Sequence, residues 1–447
     1  MNRAVYTLGL RALAPLIWLW MARRAKRAGG EWQIFSPERF GRATSGRAAL
    51  GRAASGRAAP GRAEAGGATA AAETAQAPVW VHAVSLGETR AAQPLLQALL
   101  DRGLPVLLTH ITATGRAEGA RLFADAIARG QLRQAWLPYD FPGATRRFLA
   151  AAAPRCGILI EREIWPNLLA AARRAKLPMA LVSARFSESS LRQAGRMGGV
   201  MREALAGLDL VLAQTAPDAG RLARAGAPRP SVSGNLKFDL SLPAAQVEAG
   251  QAWRARLGRP VIAVASTREG EDAPFIDALK RHATPGGPLF LLIPRHPQRF
   301  DEAAALLAQA GLAHVRRSSG QEPGPETAVL LGDTLGEMAF YYAAADVAVV
   351  AGSFAPLGGQ NLIEACAAGV PVIVGPHTFN FQQAASDAIE AGAAQRQPDP
   401  EQAVTAALAL VADPAARQAA GDAARAWFAS HAGATARTME ALAPWLR

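Results

Sequence analysis

The sequence predicts an α/β protein built from two doubly wound parallel sheets in tandem. Three observations predict it. From Pro78 onward, short apolar runs alternate with longer helical stretches, the signature of successive βαβ units. The alternation runs once through 79–213 and begins again near 260. The chain has 447 residues, too long for one ordinary core. In such folds ligands sit at the carboxyl ends of the strands, so the two domains are expected to face a common cleft.

The N-terminus stands apart. Residues 4–21, "AVYTLGLRALAPLIWLWM", are apolar apart from Arg11 and small polar groups. Eighteen residues of helix reach about 27 Å, barely a hydrocarbon core. Trp18 and Trp20 suit a membrane interface, and "ARRAKR" follows at once, which keeps the downstream chain cytoplasmic. No cleavage site stands out, so the expectation is an uncleaved anchor. Arg11 and Pro15 weaken a spanning helix, and an interfacial amphipathic helix is the alternative.

Net charge is +12, of which +6 falls in residues 1–30 and +2 in 31–78. The remaining +4 makes the body only mildly basic, which argues against a dedicated nucleic-acid binder and for a membrane-surface role. Gly-Arg recurs every five residues from 41 to 61. Nothing there can bury a core, so the stretch reads as a disordered spacer, either lying on anionic head groups or a neutral loop expansion. The expected layout is 1–27 anchor and basic flank, 28–77 linker with the Gly-Arg-Ala repeat, 78–245 first domain and 246–447 second domain. Cys156 and Cys366 are the only cysteines and are expected as reduced core thiols.

Strand-like runs are expected at 79–84, 104–111, 135–139, 157–162, 179–184 and 209–213, and then in "PVIAVAS", "PLFLLIP", "TAVLLGD", "VAVVAGS" and "PVIVGP". No G-x-G-x-x-G opens the first βα turn, and no P-loop occurs. Neither zinc spacing nor a nucleophile elbow is present. The polar motifs lie at strand ends instead. "VHAVSLGETR" places Glu88 at the start of a helix, either as its cap or as a catalytic base. His82 reads as a packed strand residue, and of Glu161 and Glu163, alternating on a strand, at most one should face the cleft. Ser266 and Thr267 are expected at an anion-binding helix N-terminus. Arg295 can clamp a phosphate, Gly358-Gly359 admits close backbone approach, and Glu364 can accept ribose hydroxyls.

In order, "HAVSLGE", "PYD", "ERE-IWPN", "SARFS", "SGNLKFD", "ASTREGE", "PRHPQRF", "GDTLGEM", "GGQNLIEA" and "GPHTFNF" resemble the 3-deoxy-D-manno-octulosonic acid (Kdo) transferase family over about 79–385. The N-terminal anchor followed by "ERFG" fits too. The resemblance implies a GT-B fold and transfer of Kdo from CMP-Kdo to a lipid A precursor at the cytoplasmic face of the inner membrane. It implies an acceptor-binding first domain and a CMP-Kdo-binding second domain. By similarity Glu88 is the general base, and CMP contacts fall on Pro294, Arg295, Leu335, Gly336, Glu337, Asn361, Leu362, Ile363 and Glu364. Ser85, Gly87, Arg185, Lys237, Ser266 and Thr267 are candidates for further substrate contacts; for Arg185 and Lys237, surface ion pairs are the alternative. No cofactor, metal or nucleic acid is expected; the partners are CMP-Kdo, the lipid A precursor and membrane phospholipids. Two departures stand out. "STREGE" carries Arg268 where the family commonly has histidine, and "GGQNLIE" carries Gln360 and Leu362 where the family has "GGHNPLE". Another nucleotide-sugar glycosyltransferase or epimerase on the same scaffold, or an inactive membrane-anchored scaffold, are the competing readings.

Overall fold

The computed structural model describes residues 1–28, 32–42 and 76–447. The Gly-Arg-Ala repeat lies outside the described residues except for Gly41 and Arg42. The chain divides into two compact units, Met1–Asp239 with Gly433–Arg447, and Leu240–Ala432.

The first unit is a seven-stranded sheet: β1 (Val79–His82), β2 (Val106–His110), β3 (Leu132–Trp136), β4 (Cys156–Ile160), β5 (Met179–Ala184), β6 (Leu210–Ala213) and β7 (Ser231–Val232). The order is 3-2-1-4-5-6-7 and every pair is parallel. The central strands are buried on both faces, as parallel strands covered by helices must be. β4 opens Cys156-Gly157, and a Cβ at Gly157 would meet Trp80 Cε3 at 2.7 Å and Met179 Sδ at 2.5 Å. Glycine there is what lets the indole of β1 lie across the sheet.

The second unit repeats the plan with β8 (Val261–Thr267), β9 (Leu289–Pro294), β10 (His314–Arg316), β11 (Val329–Leu331), β12 (Val347–Val350), β13 (Val372–Val374) and β14 (Ala394–Arg396). Its order is 10-11-9-8-12-13-14, again all parallel. The strand order reverses beside β1 and beside β8, which marks the ligand-binding edge of each sheet. Both cysteines are free and buried, and burial pushes each thiol up to about 12.

Several expectations need correction. β3 lies at 132–136, not 135–139, because Leu137-Pro138 leaves the sheet. The edge strands β7, β10 and β14 were missed; each has two or three residues and little apolar sequence to mark it. The second domain does not run to residue 447. The helix Ala434–Leu446 returns to the first unit, where its Leu442 and Leu446 join the cluster around Leu95 and Leu99. The carboxylate of Asp239 caps that helix, accepting from Gly433 N at 2.5 Å and from Thr435 N.

Residues 32–42, expected as linker, are held to the first unit through the buried Trp32 and Arg39. Arg39 is 1% exposed and donates to the carbonyls of Trp32, Gln33 and Ile111. Its guanidinium lies 4.2 Å from the Trp136 ring centroid. Gly41, the first glycine of the repeat, closes the turn after it at φ 72°.

α1 (Arg3–Ala28) is long and apolar enough to cross a membrane, yet one face is packed on the first unit. Arg3 pairs with Glu203 at 3.0 Å, Tyr6 Oη donates to Asp140 at 2.9 Å, and Thr7 Oγ1 donates to Asn167 at 3.1 Å. Ala14 and Met21 are buried. Trp18, expected at a membrane interface, instead packs edge-on and tilted against Phe35, Phe40 and Tyr139. Val5, Leu8, Leu13, Leu16, Leu19 and Trp20 on the other side are exposed.

Candidate active site

In the first unit, β1 ends at His82 and the chain turns through Val84-Ser85 into α2 (Leu86–Asp101), with Ser85 as N-cap. Glu88 stands at the third helical position. Its Oε2 accepts the backbone N–H of Val84 at 2.5 Å and of Ser85 at 3.3 Å, the reach-back of a capping box. The carboxylate therefore caps its helix. Capping does not exhaust it, since both bonds go to one oxygen. Burial, then the charges of Glu163 and Glu161, push the Glu88 carboxyl up to about 8, against the lowering effect of the two amides. A helix N-terminus alone would lower it; here desolvation wins.

Glu161 and Glu163 follow β4, and both act on Glu88. The expectation that at most one faces the site is not met: residues two apart share a strand face, and both glutamates lie just past the end of β4, where Glu161 takes a left-handed φ of 62°. Lys237 Nζ lies 2.6 Å from Glu161 Oε1. Burial alone would raise the Glu161 carboxyl, but Lys237, Arg185 and Arg162 hold it below its ordinary value. Lys237, a candidate substrate contact, is thus engaged in an ion pair. Arg185 follows β5, and its backbone N–H donates to Glu161 O at 3.2 Å. His82 is fully buried. Its Nδ1 meets Thr109 Oγ1 at 2.9 Å, and its Nε2 lies 3.7 Å from Glu163 Oε2. Gly87 is exposed, with open space over its Cα.

In the second unit the expected helix N-terminus at Ser266-Thr267 is absent. Both residues lie in β8, where the register shifts between Ala265 and Thr267 and Ser266 takes φ 63°. The helix begins only at Asp272. Thr267 is fully buried, and its Oγ1 has no hydrogen-bond partner among the described residues. Pro294 ends β9. Arg295 follows, its N–H donating to Thr267 O at 2.9 Å and its Nε to Gln360 Oε1 at 3.2 Å. Gln360, where the family commonly has histidine, serves as an acceptor for that arginine.

The sequence reading missed Glu271. Its buried carboxylate accepts the N–H groups of Arg268, Gly352, Phe354 and Ala355 between 2.6 and 3.1 Å, so it fixes the loop after β12. The available signal was its place just before a helix at a strand end. Leu335, Gly336 and Glu337 precede the helix Met338–Ala344. Leu335 is exposed, and Glu337 pairs with Arg317 at 3.1 Å. Asn361 Nδ2 donates to Glu364 Oε1 at 3.0 Å. Leu362 and Ile363 are buried at 1% and 0%, so only their main chain can meet a ligand. The Gly358-Gly359 pair, read as room for a ligand, has a local cause: φ is 92° and 81°, and a Cβ at Gly358 would strike Asn380.

Two doubly wound parallel sheets in tandem, with polar side chains gathered at their C-terminal edges, are the architecture of GT-B nucleotide-sugar enzymes. The chain is similar over 82% of its length to a UDP-GlcNAc 2-epimerase from Neisseria meningitidis, with a TM-score of 0.56, 13% identity and all of that chain covered, a likeness of fold. Residues 318–427 match the model of the glycosyl transferases group 1, and residues 37–240 match that of 3-deoxy-D-manno-octulosonic-acid transferase (kdotransferase). A 3-deoxy-D-manno-octulosonic acid transferase of Bordetella pertussis is 69% identical, with all of both chains covered. The one from Haemophilus influenzae is 31% identical over 82% of this chain and 87% of its own. The chain belongs to the 3-deoxy-D-manno-octulosonic acid transferase family.

Proposed function

We propose that this chain transfers Kdo from CMP-Kdo to the lipid A precursor lipid IVA in lipopolysaccharide biosynthesis, with inversion and with Glu88 as general base. The observation that carries the base assignment is a carboxylate at the mouth of β1 whose pKa is pushed up to about 8, where it is basic enough to take a proton near neutral pH. The acceptor hydroxyl attacks the anomeric carbon of Kdo and gives its proton to Glu88. The bond from that carbon to the phosphate oxygen breaks, and CMP departs with the electron pair. One displacement inverts the centre.

Arg295, backed by Gln360, balances the charge growing on the CMP phosphate. Pro294, the main chain at Leu335–Glu337 and at Asn361–Ile363, and the Glu364 carboxylate hold the rest of the nucleotide. The chemistry needs no metal or cofactor in this reading. With Lys237 committed to Glu161, the Kdo carboxylate and acceptor phosphates fall to Arg185 and Arg162.

α1 lies flat in the cytoplasmic face of the inner membrane. Its packed face is tied to the protein by polar contacts that hydrocarbon would not tolerate. Its outer apolar face, flanked by Arg23, Arg24 and Lys26, suits an anionic interface.

The test is Kdo transfer to a lipid A precursor by purified protein with CMP-Kdo. Wild type should be active, and Glu88→Gln should lose roughly a hundredfold or more while still binding CMP. Near-equal activity would leave Glu88 as a cap alone. Preference for UDP over CMP would favour the other nucleotide-sugar reading.

A further inference from the structure

We infer that a pocket running along the Pro166–Arg174 helix of the first unit binds the phosphate of an anionic phospholipid headgroup. The cavity measures about 380 Å³ and lies where Arg3 of α1 meets the helices Pro166–Arg174 and Gly199–Leu205. Its lining starts at Pro166 and includes none of Glu88, Glu161 and Glu163. The Pro166–Arg174 helix, with Trp165 as its N-cap, starts just past the end of β4 and runs back along the sheet for about 12 Å. Arg173 and Arg174 are therefore at the opposite edge.

The lining has the two chemistries of a phospholipid. Leu169, Ala170 and Val200 give an apolar floor. Arg3, Arg173 and Arg174 give a cationic rim, against a single acid, Glu203. Glu203 is already held by Arg3. Among the described residues, neither Arg173 nor Arg174 has an ion-pair partner. Arginines at a helix C-terminus commonly serve the helix dipole, but here a third guanidinium arrives from another element and closes a cavity with them. Guanidinium forks match phosphate oxygens. One turn beyond Arg3, α1 exposes Val5 and Leu8, the start of its outer apolar ridge. A lipid whose phosphate sits on the rim keeps its chains in the layer that this ridge enters. The inference rests on the reading that α1 lies in the membrane interface.

The experiment is binding of the full chain to phosphatidylcholine vesicles with and without phosphatidylglycerol, at fixed ionic strength. Wild type should prefer the anionic vesicles. Arg173→Gln with Arg174→Gln should lose roughly thirty-fold of that preference, at about 1 kcal/mol per basic residue, and bind pure phosphatidylcholine as before. Ala170→Phe fills the cavity without changing charge and should also lose the preference. If Ala170→Phe keeps the wild-type preference, the attraction is diffuse charge and the pocket assignment is overturned. If inorganic phosphate competes as well as the lipid does, the pocket takes free phosphate and the lipid assignment is overturned. Leu8→Asp with Leu16→Asp tests the underlying reading separately. It should lose binding to both vesicle types, and unchanged binding would sink the flat-helix reading alone. Thermal melts check that each variant is folded.

Discussion

Lys237 Nζ lies 2.6 Å from Glu161 Oε1, and that pair sorts the three carboxylates around the mouth of β1. Glu161 is held ionised by its cation and stands as a fixed negative charge beside Glu88. Glu163 adds a second. The raised pKa of Glu88 is thus a property first of burial, and then of the β4 end that brings both glutamates beside it.

The pH profile follows. Glu88 must be ionised to accept a proton, so kcat/KM should rise with pH and level off above about 8. Glu163→Gln removes one like charge and should move that limb to lower pH. A limb below pH 6 in wild type, or one that Glu163→Gln does not move, would show that Glu88 is not the titrating base.

The same carboxylate should weaken the fold as pH rises. Its folded pKa is above its unfolded value of about 4.5, so the folded state holds the proton more tightly between roughly 4.5 and 8. Stability from this group is present below pH 4.5 and is lost as pH rises through about 8. Glu88→Gln should therefore melt at or above the wild-type temperature at pH 9 while being nearly inactive. A clear drop in Tm at pH 9 would mean that the cap bonds outweigh the buried charge.

Breaking the ion pair should cost more than any surface pair. Glu161 is buried, and removing its cation strands a charge. Lys237→Met should lose about 3 kcal/mol in urea denaturation at pH 7, and adding Glu161→Gln should restore most of it. If the double variant is no more stable than the single one, the loss came from packing of the lysine stem.

Arg295 should matter for the nucleotide. Arg295→Gln removes the guanidinium proposed for the CMP phosphate and should weaken CMP binding by roughly ten- to a hundredfold in calorimetry. Gln360→Ala should weaken it less, because it acts through the arginine. An equal or larger effect of Gln360→Ala would place its amide on the ligand itself.

The sequence carried the inner strands and the ends of β1, β4, β5 and β9, because apolar runs followed by polar turns survive without tertiary context. It did not carry what depends on partners far along the chain. Ser266 and Thr267 look like helix-starting residues, and only the bulge in β8 shows that the helix waits until Asp272. Arg39 looks like linker charge until the distant Ile111 carbonyl and the Trp136 ring close over it. An alanine-rich segment such as 434–446 reads as a helix whichever sheet it covers, so its return to the first unit had no local signal. The packed side of α1 was hidden for the opposite reason: apolar residues on both sides of a helix leave no periodicity to read.

That return has a consequence for biogenesis. The unit that begins the polypeptide is the last to be completed, since Asp239 must wait for Gly433 and Thr435 before its carboxylate is satisfied. The second unit, contiguous from Leu240 to Ala432, can close while the first still lacks a helix. On the ribosome, the order of synthesis and the order of completion are inverted.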